Sequence, residues 1–323
     1  MSKLKIICKK NSVKKILVTL NKFGEYSKEA KQKLKKISKK IIYLNENKIL
    51  NKNLIYHIKD ADYYLAGIEK IDKKLLSCAK NLKIIARGGI GYNNIDLNYS
   101  KKKNISITNT PKIASNSVCN LVLAFVFLRL RNIINYTSDI KNKKWKPIIN
   151  DEPSMLNIGI IGVGNIGSKL IKKIKFLNFK NIFVNDIKKK NITGVQWKSK
   201  NYLYKNCDII SINTPLTNKT NNLFNAKTFK KLKKNCTIIN TARGEIINED
   251  DLYNFLKKNQ KAQVFLDTFI KEPYLGKLTK LKNAYFTPHI GSMTKQSRCE
   301  MDTIAANEIY RFHYKKKLKH KVN

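Results

Sequence analysis

The stretch Asn157 to Gly167, N-I-G-I-I-G-V-G-N-I-G, limits what this chain can fold into more than any other. Ile158, Ile160 and Ile161 form a short apolar run suited to a strand buried on both faces. The run breaks into Gly162-Val163-Gly164-Asn165-Ile166-Gly167, after which Ile171, Ile174 and Leu177 follow at helical spacing. Three glycines so placed suit a tight turn, a close approach of backbone to a pyrophosphate, and tight packing of helix on strand. The helix N-terminus then presents free N–H groups and a positive dipole end to the phosphates. A GxGxxG run alone is weak evidence, but its context is present here. Ile182-Phe183-Val184 reads as the next parallel strand and ends in Asn185-Asp186. A carboxylate there accepts both ribose hydroxyls of an adenosine and repels a 2′-phosphate. NAD is the expected cofactor, on Gly162, Gly164, Asn165, Ile166, Gly167 and Asp186, with Lys188, Lys189 and Lys190 near enough to soften the preference over NADP.

Similar punctuation runs along the rest of the chain. Lys15 to Leu20, Ile41 to Leu44, Tyr63 to Ala66, Ile84 to Ala86 and Ile105 to Thr108 read as short strands with helical segments between them. Ser27 to Lys40 is one such segment, with Ala30, Leu34 and Ile37 on one face and lysines on the other. His57 lies in another, Leu54 to Lys59, and reads as an ordinary, partly exposed histidine. The fourth strand ends in Arg87-Gly88-Gly89-Ile90-Gly91-Tyr92, a glycine loop whose N–H groups suit a carboxylate. Ser115-Asn116-Ser117 reads as the cap of a long apolar helix ending near Leu130, and Lys141 to Pro153 as a loop. After the dinucleotide unit the alternation resumes. Strands at Cys207 to Asn213, Thr237 to Thr241, Val264 to Leu266 and Ala284 to Phe286 lead into Thr214-Pro215, Ala242-Arg243-Gly244, Asp267 and Thr287 to Ser292. The expected fold is α/β, with two doubly wound parallel-sheet domains. Asn109-Thr110-Pro111 ends the first of them, and the dinucleotide unit belongs to the second.

The 323 residues suit two domains, and the 42% apolar content is that of a globular protein. The formal charge of +44 is unusual, but lysines are spread along the whole chain rather than forming a stripe interleaved with aromatics. No specific nucleic-acid role is expected. In so lysine-biased a chain a retained arginine marks a place where a planar fork is wanted. Arg87 and Arg243, in glycine-bearing loops, fit that better than Arg129, Arg131, Arg298 and Arg311. Cysteines 8, 78, 119, 207, 236 and 299 are scattered, without metal spacing, and read as reduced core residues. No metal, secretory signal or membrane span is expected, since the longest apolar run is Leu121 to Leu128, and the expected location is cytoplasmic.

Arg243, Glu272 and His289 follow three strand ends, where one cleft can hold them. A histidine delivers a proton near neutral pH, a neighbouring carboxylate orients it, and an arginine clamps the carboxylate of a 2-oxo or 2-hydroxy acid.

With these residues in place the chain resembles the D-isomer-specific 2-hydroxyacid dehydrogenases, most closely the D-3-phosphoglycerate dehydrogenase-like branch. The matching stretches are K-I-L-V-T, A-R-G-G-I-G-Y-N-N-I-D, T-N-T-P with S-N-S-V, G-V-G-N-I-G, T-P-L-T-N-K-T, I-I-N-T-A-R-G-E-I-I-N-E, D-T-F-I-K-E-P and T-P-H-I-G-S, in the family's order. The resemblance implies that Arg243, Glu272 and His289 are catalytic, and that Arg87, Gly88, Gly89 and Arg243 bind substrate. It implies a nicotinamide contact for Asp267, with Thr214, Pro215, Thr241, Ala242, Gly291 and Ser292 completing the cofactor site. It further implies a flavodoxin-like substrate domain, 1–112 and 294–323, with a Rossmann-type NAD domain, 113–293, inserted into it, closure of the two domains about the cleft and a homodimer through the NAD domain. Asn120 stands where the family usually has glutamate and Asn93 where it often has aspartate. Leu65-Ala66-Gly67 lacks the arginine that phosphoglycerate dehydrogenases carry near Ala66, leaving Lys70 or Arg87 to meet a phosphate. The first expectation is oxidation of 3-phosphoglycerate to 3-phosphohydroxypyruvate, at the start of serine synthesis, without serine feedback through a C-terminal regulatory domain. The alternatives are a glyoxylate/hydroxypyruvate reductase and a non-catalytic NAD-sensing protein on the same fold.

Overall fold

The structure, a computed structural model, describes residues 13–44 and 51–323. The chain divides into two compact units, one formed by the chain up to Ala114 together with Thr294–Asn323, the other by Ser115–Met293.

The first unit alternates β1 (Lys15–Val18), α1 (Lys28–Ile37), β2 (Lys40–Tyr43), α2 (Asn51–Ile58), β3 (Tyr63–Ala66), α3 (Lys73–Cys78), β4 (Ile84–Arg87), α4 (Leu97–Lys102) and β5 (Ser106–Thr108). The strands form one parallel sheet in the order β2-β1-β3-β4-β5, the flavodoxin-like arrangement. Alternate residues feed two cores: Leu17, Tyr64, Ile85 and Ile107 on one face, Ile16, Val18, Leu65 and Ile84 on the other. The Ser27 hydroxyl caps α1 at Ala30 N, and Ala30 and Leu34 are buried, so its lysines are a solvated face.

The second unit opens with α5 (Ser115–Leu130) and α6 (Ile133–Lys141). Its βαβ body is β6 (Asn157–Ile161), α7 (Asn165–Ile174), β7 (Asn181–Asn185), β8 (Gln196–Trp197), α8 (Lys200–Asn206), β9 (Ile209–Ile212), α9 (Ala226–Phe229), β10 (Thr237–Asn240), α10 (Glu249–Lys258), β11 (Gln263–Leu266) and β12 (Ala284–Phe286). All pair in parallel, in the order β12-β11-β10-β9-β6-β7-β8. That is the Rossmann order with a seventh strand, and the crevice where the order reverses lies between β6 and β9. Ile158, Ile160, Val184 and Phe265 pack under α5 and α7, while Phe183, Ile210, Ile238 and Val264 pack on the other face. The remaining helix, α11 (Lys295–His313), returns to the first unit and lies along α1.

Two local expectations change and one short strand is added. Ser115, Asn116 and Ser117 are the first turn of α5 rather than a cap preceding it. The segment from Lys141 is not all loop, because α6 runs through Lys141; it buries no residue, so no amphipathic stripe reveals it. Strand β8 is two residues long, too short for a period. Cys119, Cys207 and Cys236 are buried and free, Cys78 and Cys299 half-buried and free, and Cys8 lies outside the described residues. His57 is half-buried in α2. Among the described residues no single helix is long and apolar enough to cross a membrane, and no His/Cys/Asp/Glu cluster suits a metal.

Candidate active site

The glycine turn sits between β6 and α7. Gly162 has φ +96°, and a Cβ there would meet Asn213 O at 2.5 Å, so this turn presses against the end of β9. A Cβ on Gly167 would fall 2.0 Å from Gly162 O, which is the close helix–strand packing the motif predicts. Gly164, the N-cap of α7, differs: nothing lies within 4 Å of its would-be Cβ. The free space at the helix N-terminus, beside the amides of Asn165 and Ile166, fits a pyrophosphate. Half-buried Asp186, following β7, accepts Val163 N–H at 2.5 Å and Lys188 N–H at 3.0 Å, one on each oxygen. Each oxygen keeps a lone pair for a ribose hydroxyl. Lys190 donates to Val163 O and so is drawn to the turn. At the end of β9, Asn213 Oδ1 and Thr214 Oγ1 are buried without partners, two polar atoms on the crevice side, followed by exposed Pro215. The residues present therefore fit NAD.

Arg243 is placed by the end of β10. Asn240, fully buried, accepts Ala242 N–H at 3.0 Å and donates to Arg243 O at 2.9 Å, closing the Thr241-Ala242-Arg243 turn. The Arg243 guanidinium donates to Ala242 O at 2.6 Å. Burial pulls its pKa below the ordinary arginine value, opposed by the charges of Glu245 and Glu272. A Cβ on Gly244 would stand 2.0 Å from Phe269 C, so this loop packs directly on the loop that carries Glu272.

Glu272 accepts Phe269 N–H at 3.1 Å and faces His289 Nδ1 at 2.9 and 3.1 Å. Burial acts to raise its carboxyl pKa but is outweighed by the His289 hydrogen bond and charge, the Phe269 amide and Arg243, so the net shift is downward. Glu272 is therefore ionised at neutral pH. An anionic partner on Nδ1 selects the tautomer with its proton there and leaves Nε2 to exchange a proton. His289 is 40% exposed in its side chain and takes φ +54°, costly for a histidine. Its loop is held over that cost by Asp267, 1% exposed, which accepts Thr287 Oγ1 at 2.6 Å, Ile290 N–H at 2.7 Å and Gly291 N–H at 2.8 Å. The Asp267 carboxylate thus holds the loop that includes Gly291 and precedes half-exposed Ser292, and its Oδ2 keeps a lone pair beyond the Gly291 bond.

Within the first unit, the glycine loop follows β4. Gly88 N–H donates to Ala66 O and Gly89 N–H to Arg87 O, both at 3.0 Å, so a carboxylate at this loop competes with bonds already made. The Arg87 guanidinium donates to Gly88 O and packs on Gly89. Lys70 is exposed and turned to Asp72 at 3.5 Å. The other arginines are mostly structural: Arg129 donates to Thr237 Oγ1, Arg298 to Asn21 O and Arg311 to Lys317 O. The motifs contain Asn240 and Thr287 but do not signal their bonding, and Glu249, which accepts Ile270 N–H at 3.2 Å, is a further support of the site. An Asn at the end of a strand, before T-A-R-G, is a local sign of an Asx turn.

The sequence profile "D-isomer specific 2-hydroxyacid dehydrogenase, NAD binding domain" matches residues 123–291. A glyoxylate reductase of Thermococcus litoralis is 32% identical over 273 residues, 80% of this chain and 82% of its own. The NAD+-bound 3-phosphoglycerate dehydrogenase of Entamoeba histolytica superposes with a TM-score of 0.81 at 27% identity, covering 97% of this chain and 99% of its own. A D-lactate dehydrogenase of Aquifex aeolicus, complexed with NAD and lactic acid, does so with a TM-score of 0.83 at 25% identity, covering 93% and 96%. With a GxGxxG turn shaped for NAD and homology across both units, the chain belongs to the D-isomer-specific 2-hydroxyacid dehydrogenases, NAD-dependent oxidoreductases that act on the CH–OH group of small 2-hydroxy acids.

Proposed function

We propose that Arg243, Glu272 and His289 carry the chemistry. NAD, when bound, supplies the hydride acceptor or donor. Arg243 clamps the substrate carboxylate in a bidentate pair and lends positive charge to the reacting oxygen. His289 gives a proton from Nε2 to that oxygen in reduction and takes it back in oxidation, while Glu272 fixes the ring and balances the imidazolium. The observation that carries this reading is the His289 Nδ1–Glu272 pair at 2.9 Å in a loop held at φ +54°. Arg87, Gly88 and Gly89 are proposed to receive the substrate from the first unit. His289→Ala with unchanged turnover would refute the role given to His289, and NADH binding without oxo-acid-dependent NADH oxidation in the wild type would favour the NAD-sensing alternative.

The substrate we propose first is 3-phosphoglycerate. The likeness to the Entamoeba histolytica enzyme runs over nearly the full length of both chains, and the +44 charge favours a multiply anionic substrate. A second reading, reduction of glyoxylate or hydroxypyruvate, is favoured by alanine at position 66, by Lys70 being turned to Asp72, and by the Thermococcus litoralis relative. NADH oxidation with 3-phosphohydroxypyruvate beside hydroxypyruvate and glyoxylate separates them. Turnover confined to unphosphorylated acids would refute the first.

A homodimer through the second unit is also proposed. Ile133, Ile140, Ile148, Trp145 at 85% and Ile149 at 99% exposure form an apolar surface on α6 and the segment after it. Tyr136 OH, bonded to Ile148 N and O, ties that segment to α6. A second copy covering this face would bury side chains that water otherwise surrounds.

A further inference from the structure

We infer that Asn240 is a positioning residue for Arg243, and that this link sets how well the enzyme grips a substrate carboxylate. The inference rests on the reading of Arg243 given above. Asn240 is the last residue of β10, with no exposed surface, so its amide has been taken out of water and needs partners on both ends. It finds them in the next three residues: Oδ1 accepts Ala242 N–H at 3.0 Å, and Nδ2 donates to Arg243 O at 2.9 Å. The first bond is an Asx turn; the second closes the turn onto the backbone of the arginine itself. Asn240 O meanwhile accepts Asp267 N–H at 3.0 Å, which holds the turn in register with β11. Arg243 leaves this turn with φ −148° and ψ 142°, directly before a short helical turn at Gly244–Ile246. Its guanidinium rests on Ala242 O, inside the turn that Asn240 closes. The chain thus fixes the arginine through its backbone at both sides, from a rigid strand end. Neither aspartate nor alanine does both jobs. Aspartate keeps the acceptor but sets an oxygen against Arg243 O, and alanine keeps neither partner.

The test is a double-mutant cycle between positions 240 and 243, read as kcat/KM for the oxo acid that turns over best and as inhibition by oxamate, an unreactive carboxylate-bearing analogue. Asn240→Asp and Asn240→Ala are expected to lower kcat/KM by about 10- to 100-fold and to weaken oxamate by a similar factor, within the range seen for a displaced catalytic group. In an Arg243→Ala background the same changes are expected to cost less than about twofold, because their target is already gone. NADH binding and thermal melting are recorded for each variant, so loss of the fold is seen separately. Asn240→Ala, which introduces no buried charge, serves if Asn240→Asp fails to fold. Equal losses in both backgrounds, or wild-type oxamate inhibition in both Asn240 variants, would overturn the inference. Unchanged kcat/KM in Arg243→Ala would instead sink the role proposed for Arg243.

Discussion

Replacing Gly164 by alanine separates cofactor binding from folding at this site. The would-be Cβ meets nothing within 4 Å, and the backbone, at φ −74°, is one that alanine adopts. The change costs a few tenths of a kcal/mol in N-cap preference and regains about as much from the stiffer unfolded chain. Folding should therefore shift by less than about 0.5 kcal/mol, or roughly 2 °C in Tm. The new methyl occupies the space in which a pyrophosphate would rest on the N-terminus of α7. Pushing that group away weakens charge-assisted bonds of about 1.5–3 kcal/mol, which is roughly a 10- to 150-fold loss in affinity. Gly167→Ala is the contrasting change, because its Cβ would fall 2.0 Å from the backbone oxygen of Gly162. Backbone cannot swing aside as a side chain does, so a folding cost of about 2–4 kcal/mol is expected there. The assays are NADH fluorescence titration and thermal melting of both variants. If Gly164→Ala bound NADH within twofold of wild type, or melted as low as Gly167→Ala, the open position would not be a phosphate site.

Three further outcomes are expected. Glu272→Gln leaves His289 Nδ1 without its anionic partner, and kcat for oxo-acid reduction should fall about 10- to 100-fold while NADH affinity holds, by stopped-flow and titration. Asp302, fully buried on α11 beneath Gly24 N–H at 2.7 Å, has a carboxyl pKa pushed up to about 6, chiefly by burial. The folded chain binds that proton more tightly than the unfolded one, so this contribution is full below about pH 4 and is lost as pH rises through 6, a swing of about 3 kcal/mol. Urea unfolding at pH 4.5 and 7.5 should show about 2 kcal/mol of that swing in wild type and not in Asp302→Asn, and parallel profiles would refute it. Trp145→Asp with Ile149→Asp should halve the mass seen by light scattering without lowering NADH affinity; a wild type that is already monomeric defeats the proposed interface.

Much of the candidate site was readable because its residues sit where strands stop. A parallel strand buried on both faces must be apolar throughout, so the polar residues that follow it stand out, as Asp186, Thr214, Arg243 and His289 do. The same logic located the sheets, since Ile158, Ile209 and Ile238 can be nowhere but inside. It failed where no burial pattern exists. Helix α6 buries nothing, and β8 is two residues long.

What the amino-acid order determined by itself was the set of groups: glycines with no Cβ at Gly162, Gly164 and Gly167, a carboxylate at Asp186, and an arginine, a glutamate and a histidine after three strands. Which of them also make bonds that hold the fold was decided only by the tertiary structure. Asp267, expected at the nicotinamide, has both oxygens engaged by Thr287, Ile290 and Gly291. Lys70, a candidate for a phosphate, turns to Asp72, and Gly88 N–H serves Ala66 O. The physical reason is that a hydrogen bond needs distance and direction as well as chemical type, and sequence records only the type.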